Sequence, residues 1–232
     1  MFRFKQFAIR QENAAMKVGT DGALLGAWCD VSNCKNILDI GTGTGIIAMM
    51  VAQRNPIAKI TALELDSNAI LDATYNVENC PWSDRIKVKQ TSLQEFKPTI
   101  SFDLIVSNPP FFVNSLKAET ESRMKARHTD TLHFSDILVF SNENLSEKGS
   151  LSLILPFEQA EKCISAAIDY NLYLSRECVI RPVPHKEPHR KALEFSRVKK
   201  KITSENLVIE TGKRHDYTKD YIALTKDFYT IM

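Results

Sequence analysis

Residues 38–45 read Leu-Asp-Ile-Gly-Thr-Gly-Thr-Gly, and no other stretch limits the folding of this chain so tightly. An apolar β-rich run ends there, three alternating glycines follow, and a helix-like run begins at Ile46. Glycine adopts backbone conformations closed to other residues and leaves room for a ligand against the main chain. The segment is therefore expected to turn sharply from strand to helix. In open α/β sheets such turns lie at the carboxyl ends of strands, where ligands bind.

The surrounding sequence agrees with that placement. From Asn36 to Pro156, short β-rich runs alternate with helix-length segments, the pattern of a parallel sheet covered by helices on both faces. The expected strands are Asn36 to Ile40, Lys59 to Glu64, Arg85 to Gln90, Phe102 to Ser107 and Ser150 to Leu155. Helices are expected from Ser67, as N-cap, through Asn79 and from Phe157 to Tyr170, and Thr20 is placed to cap a short helix from Asp21 to Trp28. In the last third, Leu172 to Arg181, Ala192 to Lys199 and Leu207 to Glu210 read as strands that extend the sheet with antiparallel neighbours. A chain of 232 residues, 44% hydrophobic, has material for one substantial core. We therefore expect one α/β domain over 1–232. Residues 1–30 would form an N-terminal extension and first helix, and 171–232 an antiparallel part of the sheet.

Composition narrows the setting. Five scattered cysteines with no CxxC pair fit reduced thiols and a cytoplasmic location. No run approaches the roughly 20 apolar residues of a membrane span. A net charge of only +2 means that attraction to nucleic acid must come from local clusters of Lys and Arg. His185 and His189 lack a carboxylate or cysteine to complete a metal set, so no metal is expected.

A nicotinamide fingerprint, GxGxxG, needs a third glycine where Ile46 stands; this chain has DxGxGxG instead. Asp39 beside the turn suits the ammonium of S-adenosylmethionine (SAM), and no phosphate cradle is needed. Glu64, closing the second strand, can accept hydrogen bonds from ribose hydroxyls. The expected cofactor set is Asp39, Gly41, Thr42, Gly43, Gly45, Glu64, Leu65, Ser92 and Leu93.

The fourth strand runs directly into Asn108-Pro-Pro-Phe111 at the same edge of the sheet. An aromatic amine such as adenine N6 is a poor nucleophile because its lone pair is delocalised into the ring. The Asn108 side-chain oxygen and the Pro109 carbonyl can accept its two N–H bonds, drawing the nitrogen toward tetrahedral geometry and aiming its lone pair at the donor. Pro109 and Pro110 hold those acceptors rigidly, and Phe111 offers a face on which the extruded base stacks. No strong base is required before attack, because the methylated amine turns acidic and sheds its proton afterward.

These residues resemble the amino-methyltransferase branch of the class I SAM-dependent methyltransferases, whose signature is (N/D)PP(Y/F). A closer likeness lies in Lys17-Val-Gly-Thr-Asp-Gly-Ala-Leu-Leu-Gly-Ala-Trp28, Asn108 to Phe112 and Ala126-Arg-His-Thr129, which are similar to the bacterial valine-tRNA (adenine-N6)-methyltransferase family. The resemblance implies a Rossmann-like, mostly parallel seven-stranded sheet, SAM as cofactor, and a tRNA adenine beside the anticodon as substrate. It also implies that Thr20 and Asp21 border the cofactor, that Ser92 stands where many such enzymes carry an adenine-binding aspartate, and that Phe112, Arg127 and His128 meet the substrate. The family usually has Tyr at the fourth motif position; Phe111 keeps the stacking face and lacks the hydroxyl. A second basic region, Arg181, Lys186, Arg190, Lys191, Arg197 and Lys199 to Lys201, either grips phosphates or is a mixed solvated surface, given its interspersed acids. Two rival activities stay open: methylation of a protein glutamine amide, and a non-catalytic module that binds SAM or RNA. The sequence leaves the assembly state open, with a monomer as the working expectation.

Overall fold

The computed structural model describes residues 1–110 and 132–230. A short antiparallel ribbon, β1 (Phe2–Arg3) and β2 (Ala8–Ile9), precedes helix α1 (Thr20–Trp28). The alternating core follows: β3 (Asn36–Ile40), α2 (Ile46–Arg54), β4 (Lys59–Glu64), α3 (Ser67–Glu78), β5 (Ile86–Gln90) and β6 (Phe102–Ser107). Beyond residue 131 come α4 (Phe134–Asn144), β7 (Leu145–Pro156) and α5 (Phe157–Ala167), which tightens into a 3₁₀ turn over Ile168–Tyr170. The chain closes with β8 (Tyr173–Arg181), β9 (Arg190–Ser196), β10 (Thr203–Val208) and α6 (Lys219–Thr225).

One sheet gathers β3 to β10 in the order β10-β8-β9-β7-β6-β3-β4-β5. Its strands alternate their side chains between two apolar layers. Ile37, Leu104 and Val106 face the layer that holds α1 and α2, whereas Leu38, Ile40 and Ile105 face the layer that holds α4 and α5. Four of the five residues of β3 are buried; each such Leu or Ile removes enough apolar surface to stabilise the fold by roughly 1.5–3 kcal/mol. The expected α/β sheet with helices on both faces is what forms, and β3, β4 and β6 keep the boundaries read from the sequence.

The carboxyl-terminal part departs from expectation in two ways. The sheet has eight strands rather than seven, because β10 adds to the free edge of β8 in parallel register, with Leu207 opposite Ile180. Only β9 runs antiparallel, pairing so with both β7 and β8. Hydropathy gave β10 too late a start because Thr203-Ser-Glu-Asn206 is polar; as an edge strand it sends only Leu207 deep into the core.

Helices α1 and α2 cross closely at Gly26, where an added Cβ would lie 2.9 Å from Met50 Sδ and 3.0 Å from its Cβ. Arg54, ending α2, donates to the carbonyls of Gly26 and Cys29 at 2.9 and 2.7 Å, so one guanidinium caps the far end of α1. Helix α1 also anchors the sheet edge: Arg176 stacks on Trp28 at 3.8 Å, and Trp28 Nε1 donates to Glu205 at 2.9 Å. All five cysteines are buried with unpaired sulfurs. Burial pushes the Cys29 thiol up to about 11 and those of Cys34, Cys163 and Cys178 to about 12, and raises Cys80 as well.

Candidate active site

The glycine turn is pinned from three sides. Gly41, Gly43 and Gly45 have φ values of 68, 56 and 84°, in the left-handed region that favours glycine. Thr42 donates its amide to Leu63 of β4 at 2.8 Å, and its hydroxyl to Asp39 Oδ2 at 2.5 Å. The same Asp39 oxygen accepts the Ala48 amide at 3.2 Å, in the first turn of α2. Asp39 is wholly buried, and its other oxygen has no hydrogen-bond partner among the described residues. Burial pushes its carboxyl up to about 7, opposed by the bonds from Thr42 and Ala48.

A cavity of about 500 Å³ opens beside this turn, within the range that holds a small-molecule cofactor. Gly41, Gly43, Glu64 and Leu65 form one side of it, and Thr91 to Gln94, after β5, another. Glu64 is firmly held: Oε1 accepts the amides of Leu65 and Asp66 at 2.8 and 2.9 Å, and Oε2 the amide of Gly43 at 2.8 Å. Each carboxylate oxygen has two lone pairs, so Oε2 keeps capacity for one more donor, such as a ribose hydroxyl. Ser92 keeps its hydroxyl close to home, accepting the Glu95 amide at 3.2 Å.

Asn108 and Pro110 line the same cavity. Ser107, the last residue of β6, donates its hydroxyl to the Ile40 carbonyl at 2.7 Å and so stitches the end of β6 to the end of β3. Asn108 therefore emerges beside the glycine turn, with its side-chain oxygen buried and without a hydrogen-bond partner among the described residues. Buried polar atoms are normally satisfied, so an orphan facing a cavity marks a place for a donor. Together with the open capacity of Glu64, it makes the donor and acceptor chemistry of the cavity fit SAM and an amine substrate.

Several expected contributors lie elsewhere. Thr20 is the first residue of α1 rather than its cap, which is Gly19 without a side-chain bond, and it lines a different cavity together with Tyr217, Tyr221 and Tyr229. Asp21 is ion-paired with Arg190 at 2.7 Å and does not line the glycine cavity. The part of α1 that approaches the site is Gly22, whose added Cβ would lie 4.0 Å from Asn108 Nδ2. Asp39 and Thr42 stand behind the turn and brace it, while Gly45 faces Ala73 and Val77 of α3, a packing position. The α3 cap is Asp66, one residue before Ser67, which accepts the Asn68 amide at 2.8 Å. Phe111, Phe112, Arg127 and His128 lie outside the described residues. In the second basic region, Lys191 is held by Glu161 and Glu177 at 2.6 and 2.9 Å, and Arg197 donates to the carbonyls of Asn142 and Leu145. Among the described residues, no cluster of His, Cys, Asp or Glu is arranged to hold a metal.

One wall of the cavity was not expected. Ala14, Ala15 and Met16 line it together with Asp66 and Ala69 at the start of α3. A signal was present in α3, where Asp72 and Asn76 interrupt the apolar stripe of Ala69, Ala73 and Val77 at helical spacing and are buried.

Comparison with known proteins accords with this geometry. The model of the methyltransferase small domain family matches residues 15–162. A protein of Parabacteroides distasonis named tRNA1(Val) (adenine(37)-N6)-methyltransferase is 46% identical over 100% of this chain and 98% of its own length. One of the same name from Flavobacterium psychrophilum is 47% identical over 100% of both chains. A crystal structure described as a predicted O-methyltransferase from Agrobacterium tumefaciens superposes with a TM-score of 0.68, covering 90% of this chain and 96% of that one at 22% identity, a likeness of fold. With a glycine turn and an Asn-Pro-Pro edge sharing one cavity, and with full-length relatives at this identity, the chain belongs to the methyltransferase small domain family and, within it, to the family of tRNA1(Val) (adenine(37)-N6)-methyltransferases.

Proposed function

We propose that this chain, acting as a single domain, transfers a methyl group from SAM to N6 of the adenine beside the anticodon of valine tRNA. The observation that carries the reading is the buried, unpartnered oxygen of Asn108 in the cavity framed by Gly41, Gly43 and Glu64. Bound SAM supplies an electrophilic methyl on a sulfonium. Glu64 and the residues Leu65, Ser92 and Leu93 hold the nucleoside end, and Asp39 with Thr42 keeps the glycine turn in shape. Asn108 Oδ1 and the Pro109 carbonyl accept the two N–H bonds of the amine, so that its lone pair points at the methyl carbon. The ring of Phe111, next in the chain, stacks on the base, and Phe112, Arg127 and His128 meet the RNA. The proton leaves after transfer, to water, since the alkylated amine is strongly acidic.

A monomer is the working state of this reading. A tRNA substrate accords with work in the cytoplasm. The test is to incubate the protein with SAM and unmodified tRNA and to analyse nucleosides by mass spectrometry. N6-methyladenosine beside the valine anticodon is expected. Methylation of a glutamine amide in a release-factor peptide, with none in tRNA, would transfer the same acceptor geometry to the rival substrate; binding of both ligands without any product would leave a non-catalytic module.

A further inference from the structure

We propose that Asp72 is a positioning residue for the cofactor, holding the strap Arg10–Met16 so that its Ala14, Ala15 and Met16 form a wall of the cavity. This rests on the cavity being the SAM site. Asp72 lies in the middle of α3 with none of its surface exposed. Aspartate is a poor helix former, and a buried carboxylate is costly unless its oxygens are satisfied. Here they are satisfied entirely by the strap. Oδ2 accepts the amides of Asn13 and Ala14 at 2.7 and 2.9 Å, while Oδ1 accepts Arg10 Nε at 2.9 Å and Asn13 Nδ2 at 3.0 Å. Burial alone would raise this carboxyl, yet the donors of Ala14, Asn13 and Arg10 outweigh it and hold it below its ordinary value.

Asn76, one turn further along α3, joins the strap to the glycine turn. Its oxygen accepts the Arg10 amide at 2.6 Å, and its nitrogen donates to the carbonyls of Arg10 and Thr44 at 2.8 and 2.9 Å. A single helix thus clamps the strap and the turn, and fixes the distance between the two sides of the cavity. The start of α3 itself lines that cavity through Asp66 and Ala69, as do Ala14, Ala15 and Met16 of the strap. Arg10 closes the outside of the clasp by lying 4.1 Å over the Tyr75 ring. With Asp72 removed, the amides of Asn13 and Ala14 lose their acceptor and the strap loses the wall position, whereas Asn108 and the edge of β6 are untouched.

The experiment compares wild type, Asp72→Asn and Arg10→Ala as folded full chains. S-adenosylhomocysteine binding is measured by calorimetry, amide exchange at Ala14 without ligand, and kcat and KM by steady-state methylation. Asp72→Asn replaces an acceptor with an amide that confronts backbone donors. We expect its S-adenosylhomocysteine affinity and KM for SAM to weaken about 10-fold or more, with kcat at saturating SAM within about twofold. Exchange at Ala14 should accelerate. Arg10→Ala leaves three of the four carboxylate bonds, so a smaller loss is expected, restored by Arg10→Lys. If Asp72→Asn fails to fold, Arg10→Ala carries the same comparison. Equal affinity in wild type and folded variants would overturn the inference, as would a fall in kcat and melting temperature with KM unchanged. A wild type that does not bind S-adenosylhomocysteine at all would instead sink the assignment of the cavity, and the inference with it.

Discussion

Asn108 and Asp39 each have a buried oxygen without a hydrogen-bond partner among the described residues, but only Asn108 lines the cavity. On the proposed reading, the amide oxygen of Asn108 meets the substrate amine. Asn108→Ala should cost roughly 10²–10³ in kcat, the scale for losing one preorganised polar group at a reacting centre. S-adenosylhomocysteine affinity, read by calorimetry, should stay within a few-fold of wild type. Asp39 stands behind the turn, and its carboxyl lies near 7 against an ordinary 3.8. Between those values the folded protein keeps a proton that the unfolded chain has shed. The stability it contributes is therefore fully present below 3.8 and is lost as pH rises through about 7. Urea unfolding from pH 5 to pH 8 should show stability falling more steeply in wild type than in Asp39→Asn, which cannot titrate. Equal slopes would mean that the carboxylate is already charged throughout. Asp39 was legible as the acidic neighbour of the glycines; its confinement behind them was not, because the pleat that sends it toward α2 shows only when β3 is paired on both sides.

Among the elements, α1 was legible as a buried helix, but its cap was expected one residue late, at Thr20 rather than Gly19. A threonine followed by an acid resembles a capped helix end that meets a ligand, whereas Asp21 is spent on Arg190, and small residues let the helix body close on α2 and Asn108. Gly26→Ala would drive a methyl into Met50, and should destabilise the fold by about 1–3 kcal/mol in chemical denaturation, the usual cost of overpacking. A stability unchanged within error would show that Met50 swings aside freely. Strands β3, β4 and β6 were read to the residue because both of their faces are covered, so apolar residues stand at adjacent positions in each, as in Ile37-Leu38, Ala62-Leu63 and Leu104 to Val106. The strap over Arg10–Met16 was hidden for the opposite reason: its partners on α3 are some sixty positions away and its bonds run through backbone amides, which leave no trace in side-chain periodicity.

At the scale of the whole molecule, strand direction sorts the basic residues. Since β9 runs against its neighbours, Arg190 starts beside Pro156 at the edge that bears Asn108, and Ser196 ends at the opposite edge. Lys199 to Lys201, in the link from β9 to β10, are thus on the side of the sheet remote from the cavity. By contrast Lys186, between β8 and β9, and Lys213 and Arg214, after β10, are exposed at the near edge. If tRNA lies across that edge, joint replacement of Lys186, Lys213 and Arg214 by Ala should lower the slope of log affinity against log salt by about 1 or more. The same change at Lys199, Lys200 and Lys201 should leave the slope alone, a contrast that filter binding over 50–200 mM salt resolves. Lys186 and Lys199 to Lys201 were expected in a single basic region, and Lys213 and Arg214 were not singled out, because spacing along the chain carries no information about which end of a strand a loop joins.

The sealed cysteines have a practical corollary. With the sulfurs of Cys29, Cys163 and Cys178 buried in the layers beside the sheet and their protons retained, an alkylating reagent finds little to react with at these three positions until those layers part. Carboxymethylation there, followed over hours by mass spectrometry, should therefore tick at the pace of global opening, giving this chain an internal clock for its own unfolding that needs no added label.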